Sequence, residues 1–212
     1  MLIGEFRAFV MAPSFPCVGA KSALKRGRME FEICDSLGSS TSAEVLRANL
    51  ARFSARHPDP GPLPISFVAI FRDRVAGEDS FHNRLWMQLQ AIHDLDISEH
   101  PWASDVSGDP GSADFSFSVA SRAFFVVGLH PQSSRLARRA PRPALVFNFH
   151  DQFEALRTSG RYEKLQAAIR DRDVALQGNI NPMLARFGEA SEALQYSGRP
   201  GVGCPFHNRL SH

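Results

Sequence analysis

Cys17 stands between Pro16 and Gly19, directly ahead of a helix-compatible stretch, Ala20 to Arg26. Proline fixes the approach to it and glycine permits a sharp turn. Helix amides and the cations Lys21, Lys25 and Arg26 would lower the pKa of a thiol so placed. Such a sulfur can act as a nucleophile or as a soft ligand for iron, and a thiolate on haem iron supplies electron density that helps cleave an O–O bond. The competing reading is a small buried hydrophobe, because free cysteine is among the most buried residue types.

His150 ends the strand-like run Ala144 to Phe149, where a side chain can be aimed into a cleft as an iron ligand or a proton carrier. Asp151 follows at once, but neighbours on a strand point to opposite faces, so it need not orient the imidazole. A histidine hydrogen-bonded at a helix start is the plainer alternative. His130, between the apolar strand Phe124 to Leu129 and Pro131, is a second candidate for a pocket rim. His82 and His93 lie eleven residues apart on one helix face, beside its apolar stripe, and are expected on a solvated flank. No HExxH spacing supports zinc.

Arg135, Arg138 and Arg139 are spaced i, i+3 and i+4, so one helical turn would gather three guanidinium groups into a fork suited to carboxylates or phosphates. A solvated basic face is the alternative. Near the C-terminus Cys204-Pro205-Phe206 gives a second Cys-Pro element, flexible enough to fold back over a site. There is no GxSxG, Walker or Rossmann pattern, so hydrolytic and nucleotide-dependent chemistry have little to stand on.

The whole chain narrows these options. Its 212 residues, 43% hydrophobic and 22% charged, suit one globular domain. Such a length buries roughly 70% of the surface exposed on unfolding and needs no staple. The three widely spaced cysteines, Cys17, Cys34 and Cys204, therefore do not read as a disulfide framework. A balance of 24 basic against 22 acidic residues, net +2, is too near neutral to coat a nucleic acid. Glu5 and Arg7 spoil the N-terminus as a secretory signal, and Ala123 to Leu129, the longest later apolar run, is far short of the roughly 20 residues that span a bilayer. A cytoplasmic protein with no nucleic-acid or membrane partner is expected.

The elements that must position these residues follow from periodicity. After an amphipathic turn at Phe6, Phe9 and Val10, strands are expected at Met29 to Ile33, Ile65 to Phe71, Phe115 to Val119, Phe124 to Leu129 and Ala144 to Phe149. Helices are expected from the Ser39 to Ser42 capping region to just before His57-Pro58, over about Asp79 to Leu95 and over about Arg161 to Leu176, with an irregular tail from Asn179. Without a regular βαβ rhythm, the reading is a single α+β domain with a mixed or mainly antiparallel sheet packed with helices.

Four segments together, Phe15 to Lys21, Phe124 to Pro131, Val146 to Phe153 and Cys204 to Phe206, resemble the YqcI/YcgG family, and within it the branch of haem-dependent N-hydroxylases similar to the guanitoxin-pathway enzyme. Ser134 to Arg139 and Gly160 to Leu165 fit as well. The resemblance spans nearly the whole chain and implies a haem b protein that hydroxylates a guanidine or amine nitrogen of a small amino-acid-like substrate in natural-product biosynthesis. O₂ and an external electron donor or reductase would be its co-reactants; a haem-binding or haem-sensing protein without turnover is the alternative. The family's Pro-Cys motif falls on Pro16-Cys17, so Cys17 and His150 are the candidate iron ligands, and His150 and Asp151 the candidate catalytic pair. Pro16, Cys17, Lys21, His130, Arg135, Arg138 and Arg139 are the candidate haem-pocket residues, with the arginines facing propionates or a substrate carboxylate. Asp151 and Glu154 are candidates to neutralise a cationic substrate. Phe115, Phe117, Phe124 and Phe125 offer apolar surface to a porphyrin face, although core is the expected use of most of them.

Overall fold

The structure, a computed structural model, describes residues 1–61, 63–160, 162–179, 190–199 and 203–208. Strands β1 (Met29–Cys34), β2 (Ser66–Phe71), β3 (Phe117–Val119), β4 (Arg122–Leu129) and β5 (Ala144–Phe149) form one sheet in the order β1-β2-β5-β4-β3. β1 runs parallel to β2, Met29 opposite Ser66, and every other pairing is antiparallel. A parallel pair needs a crossover, and α3 (Ser40–Arg56) supplies it. β3 turns into β4 through Ala120 and Ser121, both at positive φ (54° and 56°), as a tight hairpin of this hand requires. With α1 (Leu2–Met11), α2 (Val18–Lys25), α4 (Glu78–Asp96), α5 (His150–Thr158), α6 (Tyr162–Gln177) and α7 (Ala193–Tyr196), the described residues make a single α+β domain with a mixed sheet, as expected.

Period-two alternation sorts the strand side chains between two unlike faces. Phe67, Ala69 and Phe71 on β2, Phe124 and Val126 on β4, and Leu145, Phe147 and Phe149 on β5 are all buried. They belong to one core with Leu46, Leu50 and Phe53 of α3 and Phe81, Leu85, Leu89 and Ile92 of α4. The intervening residues Val68, Ile70, Leu129 and Ala144 join Phe6 and Val10 of α1 and Ala23 of α2 in a second core. Of the four phenylalanines considered for a porphyrin face, Phe115, Phe117 and Phe124 are in the first core.

Several expectations are corrected. α1 is a full helix, not one turn, because Phe6 and Val10, four apart, bury one stripe while Glu5 and Arg7 stay outside it. α5 follows β5 directly; only Phe153 and Leu156 mark its apolar side, too few for the pattern to announce it. α7 lies in the tail read as irregular. The arginine turn is a short 3-10 turn, Leu136–Arg138. His82 and His93 are buried, since Ser197 and Phe206 cover that flank of α4: His82 Nδ1 lies 2.8 Å from Ser197 Oγ, and His93 sits edge-on to Phe206. Cys204-Pro205-Phe206 folds back, but onto the first core, where Phe206 packs among Trp86, Trp102 and Phe115.

Two predictions follow from this packing. A Cβ at Gly128 would come within 2.7 Å of Leu85 Cδ1 and Phe81 Cε1, so Gly128→Ala should destabilise by about 1–3 kcal/mol in urea unfolding. His130 stacks on the Phe81 ring with centroids 4.3 Å apart, and burial, helped by Arg138, pushes its pKa down to about 4 despite nearby Glu78. The unfolded chain, with histidine near its ordinary 6.5, therefore binds the extra proton between those values. Stability should fall on acidification through that window, by up to about 1.4 kcal/mol per pH unit from this group. His82, pushed down by burial and then by Arg199, adds a slope of the same sign. His130→Gln should flatten but not abolish the slope in unfolding curves from about pH 7 to about pH 5.

Candidate functional site

The second face of the sheet is only partly filled. Between it and the helices lies a mainly apolar cavity of about 340 Å³, within the range of small-molecule sites. Its floor is every second residue of two strands, Phe125, Val127 and Leu129 of β4 and Val146 and Asn148 of β5, beside Ser66 at the start of β2. The polar floor is internally satisfied: Ser66 Oγ donates to Asn148 Oδ1 (2.7 Å), and Asn148 Nδ2 to the Phe125 carbonyl (3.2 Å). Phe6 and Val10 of α1 wall one side, and Leu156, Leu165 and Ile169 of α5 and α6 another. Phe125 is thus the one of the four phenylalanines that reaches this site.

Pro16 and Cys17 form part of the wall. Cys17 is the N-cap of α2, and its Sγ accepts the Ala20 N–H at 3.4 Å. The expected low thiol pKa does not hold: burial pushes it up, outweighing the Ala20 and Gly19 amides and Lys21. Helix-end amides stabilise a thiolate, but here the apolar surroundings cost more. Lys21 lies outside the wall and donates to the Pro13 carbonyl at 3.3 Å, pinning the preceding loop.

The three arginines do not form a fork, because each is directed to a separate partner. Arg135 and Arg138 line the cavity. Arg135 pairs with Asp173 and donates to Asn179 Oδ1 at 2.5 Å. Arg138 donates to the carbonyls of Gly128 (3.2 Å), Tyr196 (3.1 Å) and Gln195 (2.7 Å), and burial lowers its pKa to about 10. Arg139 faces away and donates to the Ser133 carbonyl at 3.0 Å.

Neither His150 nor His130 lines the cavity. His150 is buried at the first turn of α5, its Nδ1 3.6 Å from Glu192 Oε1 and its Nε2 3.7 Å from Glu154 Oε1. His130 belongs to the α4 side of the sheet, against Phe81, not to the cavity rim. Asp151 pairs with Arg122 at 2.5 Å, and that guanidinium lies 4.4 Å from the Phe149 ring centroid. Glu154 pairs with Arg157. The helix that begins at His150 turns Asp151 and Glu154 away from the wall, whereas Gln152, Phe153 and Leu156 face it.

The acidic groups on the wall are instead Asp173 and Glu192. Both are buried, and sequence reasoning missed them: Asp173 is one of many charges on α6, and Glu192 lies in the unpatterned tail. Arg170 and Gln152 complete the polar lining relevant here; among the described residues Arg170 Nε and Gln152 Nε2 are buried without a hydrogen-bond partner. Also among the described residues, no three His, Cys, Asp or Glu side chains converge into a metal-binding group, and no helix is long and apolar enough to cross a membrane.

This one-sided arrangement, a two-faced sheet with a Pro-Cys loop and three helices closing over one face, coincides with a family assignment over nearly the whole chain. The chain belongs to the YqcI/YcgG family, whose model matches residues 6–207. No curated protein and no solved structure matches it.

The Arg135–Asp173 pair makes a direct test of the wall. Asp173→Ala leaves a guanidinium buried opposite Asn179 alone and should cost about 3–5 kcal/mol in unfolding. Replacing both members with Leu and Met should recover much of that loss, since the apolar wall accepts them.

Proposed function

We propose that the chain is a cytoplasmic haem-dependent N-oxygenase that hydroxylates a guanidine or amine nitrogen of a small amino-acid-like substrate. It would use O₂ and electrons from an external donor. One oxygen atom goes to nitrogen; the other leaves as water with two protons and two electrons. The observation that carries the reading is that Cys17, unlike the other candidate iron ligand His150, opens on the apolar cavity.

The wall residues fit a porphyrin in kind. Cys17 Sγ offers a soft donor, and a porphyrin, which already supplies four nitrogens, asks the protein for no multidentate cage. Phe6, Phe125, Val127 and Ile169 give apolar surface for a flat macrocycle. Arg170 offers its Nε to a carboxylate such as a propionate, the role first assigned to the Arg135 to Arg139 turn. Bound there, haem would supply the O₂-activating iron. This chain's part would be to hold the sulfur through the Ala20 amide and to exclude water with the α1 and α6 side chains, the thiol proton being released to solvent when iron replaces it.

Haem titration should give a Soret band with about one equivalent bound. The carbon-monoxide difference spectrum of the reduced form should be of the thiolate type, and Cys17→Ser should remove that signature. Protein that takes up no haem sinks the proposal. If Cys17→Ser leaves the spectrum unchanged while His150→Ala abolishes it, the ligand assignment is wrong. N-hydroxylated product from guanidines or amines, with O₂ and a reductant, separates the enzyme from a haem protein without turnover.

A further inference from the structure

Among the described residues, the two carboxylates that line the cavity differ in their partners: Asp173 has an arginine and Glu192 has none. Asp173 is paired with Arg135, Glu154 with Arg157 and Asp151 with Arg122. Glu192 lines the cavity at 5% exposure, and its Oε2 has no hydrogen-bond partner among the described residues. Its one ion-pair neighbour among them is the His150 imidazole, 3.6 Å from Oε1. Of the other wall arginines, Arg138 donates to three carbonyls, and among the described residues no ion pair within 4.0 Å joins Arg170 to Glu192. A buried carboxylate oxygen left without a donor is costly, and a cationic N–H group brought by a ligand relieves that cost with a charge-assisted hydrogen bond.

We propose that Glu192 is the anchor for a cationic nitrogen group, guanidinium or alkylammonium, carried on an apolar stem into this cavity, with His150 as the residue that positions its carboxylate. The stem meets Phe125, Val146 and Leu165, and the cation meets Oε2. This deepens the proposed N-oxygenase reading by assigning the substrate's charged end to Glu192 in place of Asp151 or Glu154, and it is measured separately from haem.

The probes are n-butylguanidinium and its neutral isostere n-butylurea, followed by calorimetry on the protein as purified and after haem loading. The wild-type protein should bind the cation at least about tenfold more tightly than the urea, the difference expected of one charge-assisted hydrogen bond. Glu192→Gln, which keeps shape and removes charge, should lose that preference, and Glu192→Asp should retain part of it. No cation binding, equal binding of the two probes by the wild type, or an undiminished preference in Glu192→Gln overturns the assignment. The wild-type comparison needs no variant to fold. Soret absorbance in the same samples keeps the two readings apart: preference without haem uptake sinks the haem proposal alone, and haem uptake without preference sinks the Glu192 anchor alone.

Discussion

A guanidinium with no carboxylate paired to it among the described residues holds the cavity side of this protein together. Arg138 enters from a 3-10 turn and donates to carbonyls at the end of β4 and in α7, so three stretches distant in sequence share one side chain. Partial charges on three neutral acceptors replace a counter-ion, which fits a pKa lowered by burial yet still far above neutrality. Gly198, at φ 77°, completes the fit: a Cβ there would fall 2.8 Å from Arg138 Cδ. Glu192 and Gln195 reach the cavity wall only because this clamp lays residues 192–198 against the sheet.

The sheet supplies the complementary asymmetry. One face is packed with phenylalanine and sealed by α3 and α4, including the stacked pair Phe53 and Phe149 with ring centroids 4.7 Å apart. The other carries Ser66, Val127, Val146 and Asn148, shorter side chains that leave room under α1, α5 and α6. Alternation along β4 and β5 thus builds core and cavity from alternate residues of the same strands, and a one-residue slip in register would exchange them.

How much of this was legible depends on range. Strong local patterns located β2, α3, α4 and β5, and the Pro-Cys pair pointed to the loop that does reach the cavity. What failed was long-range. The spacing of Arg135, Arg138 and Arg139 reads as a fork only if all three answer to solvent; Asp173, the β4 and α7 carbonyls and Ser133 divide them instead. Proximity to His150 favoured Asp151 and Glu154, but a helix starting at His150 places Asp151 against Arg122. Likewise the local surroundings of Cys17 argue for a thiolate, and burial, which depends on α1 and the sheet, reverses the sign.

Phe206 bears on how the chain must be made. Its ring is enclosed by Trp86, His93, Trp102, Phe115 and Phe117, contacts that span up to 120 residues of sequence. During synthesis those five rings leave the ribosome long before their cover does. The aromatic surface between α4 and β3 therefore waits, open to water and to other nascent chains, until residue 206 emerges, and that interval is when a chaperone would have most to do.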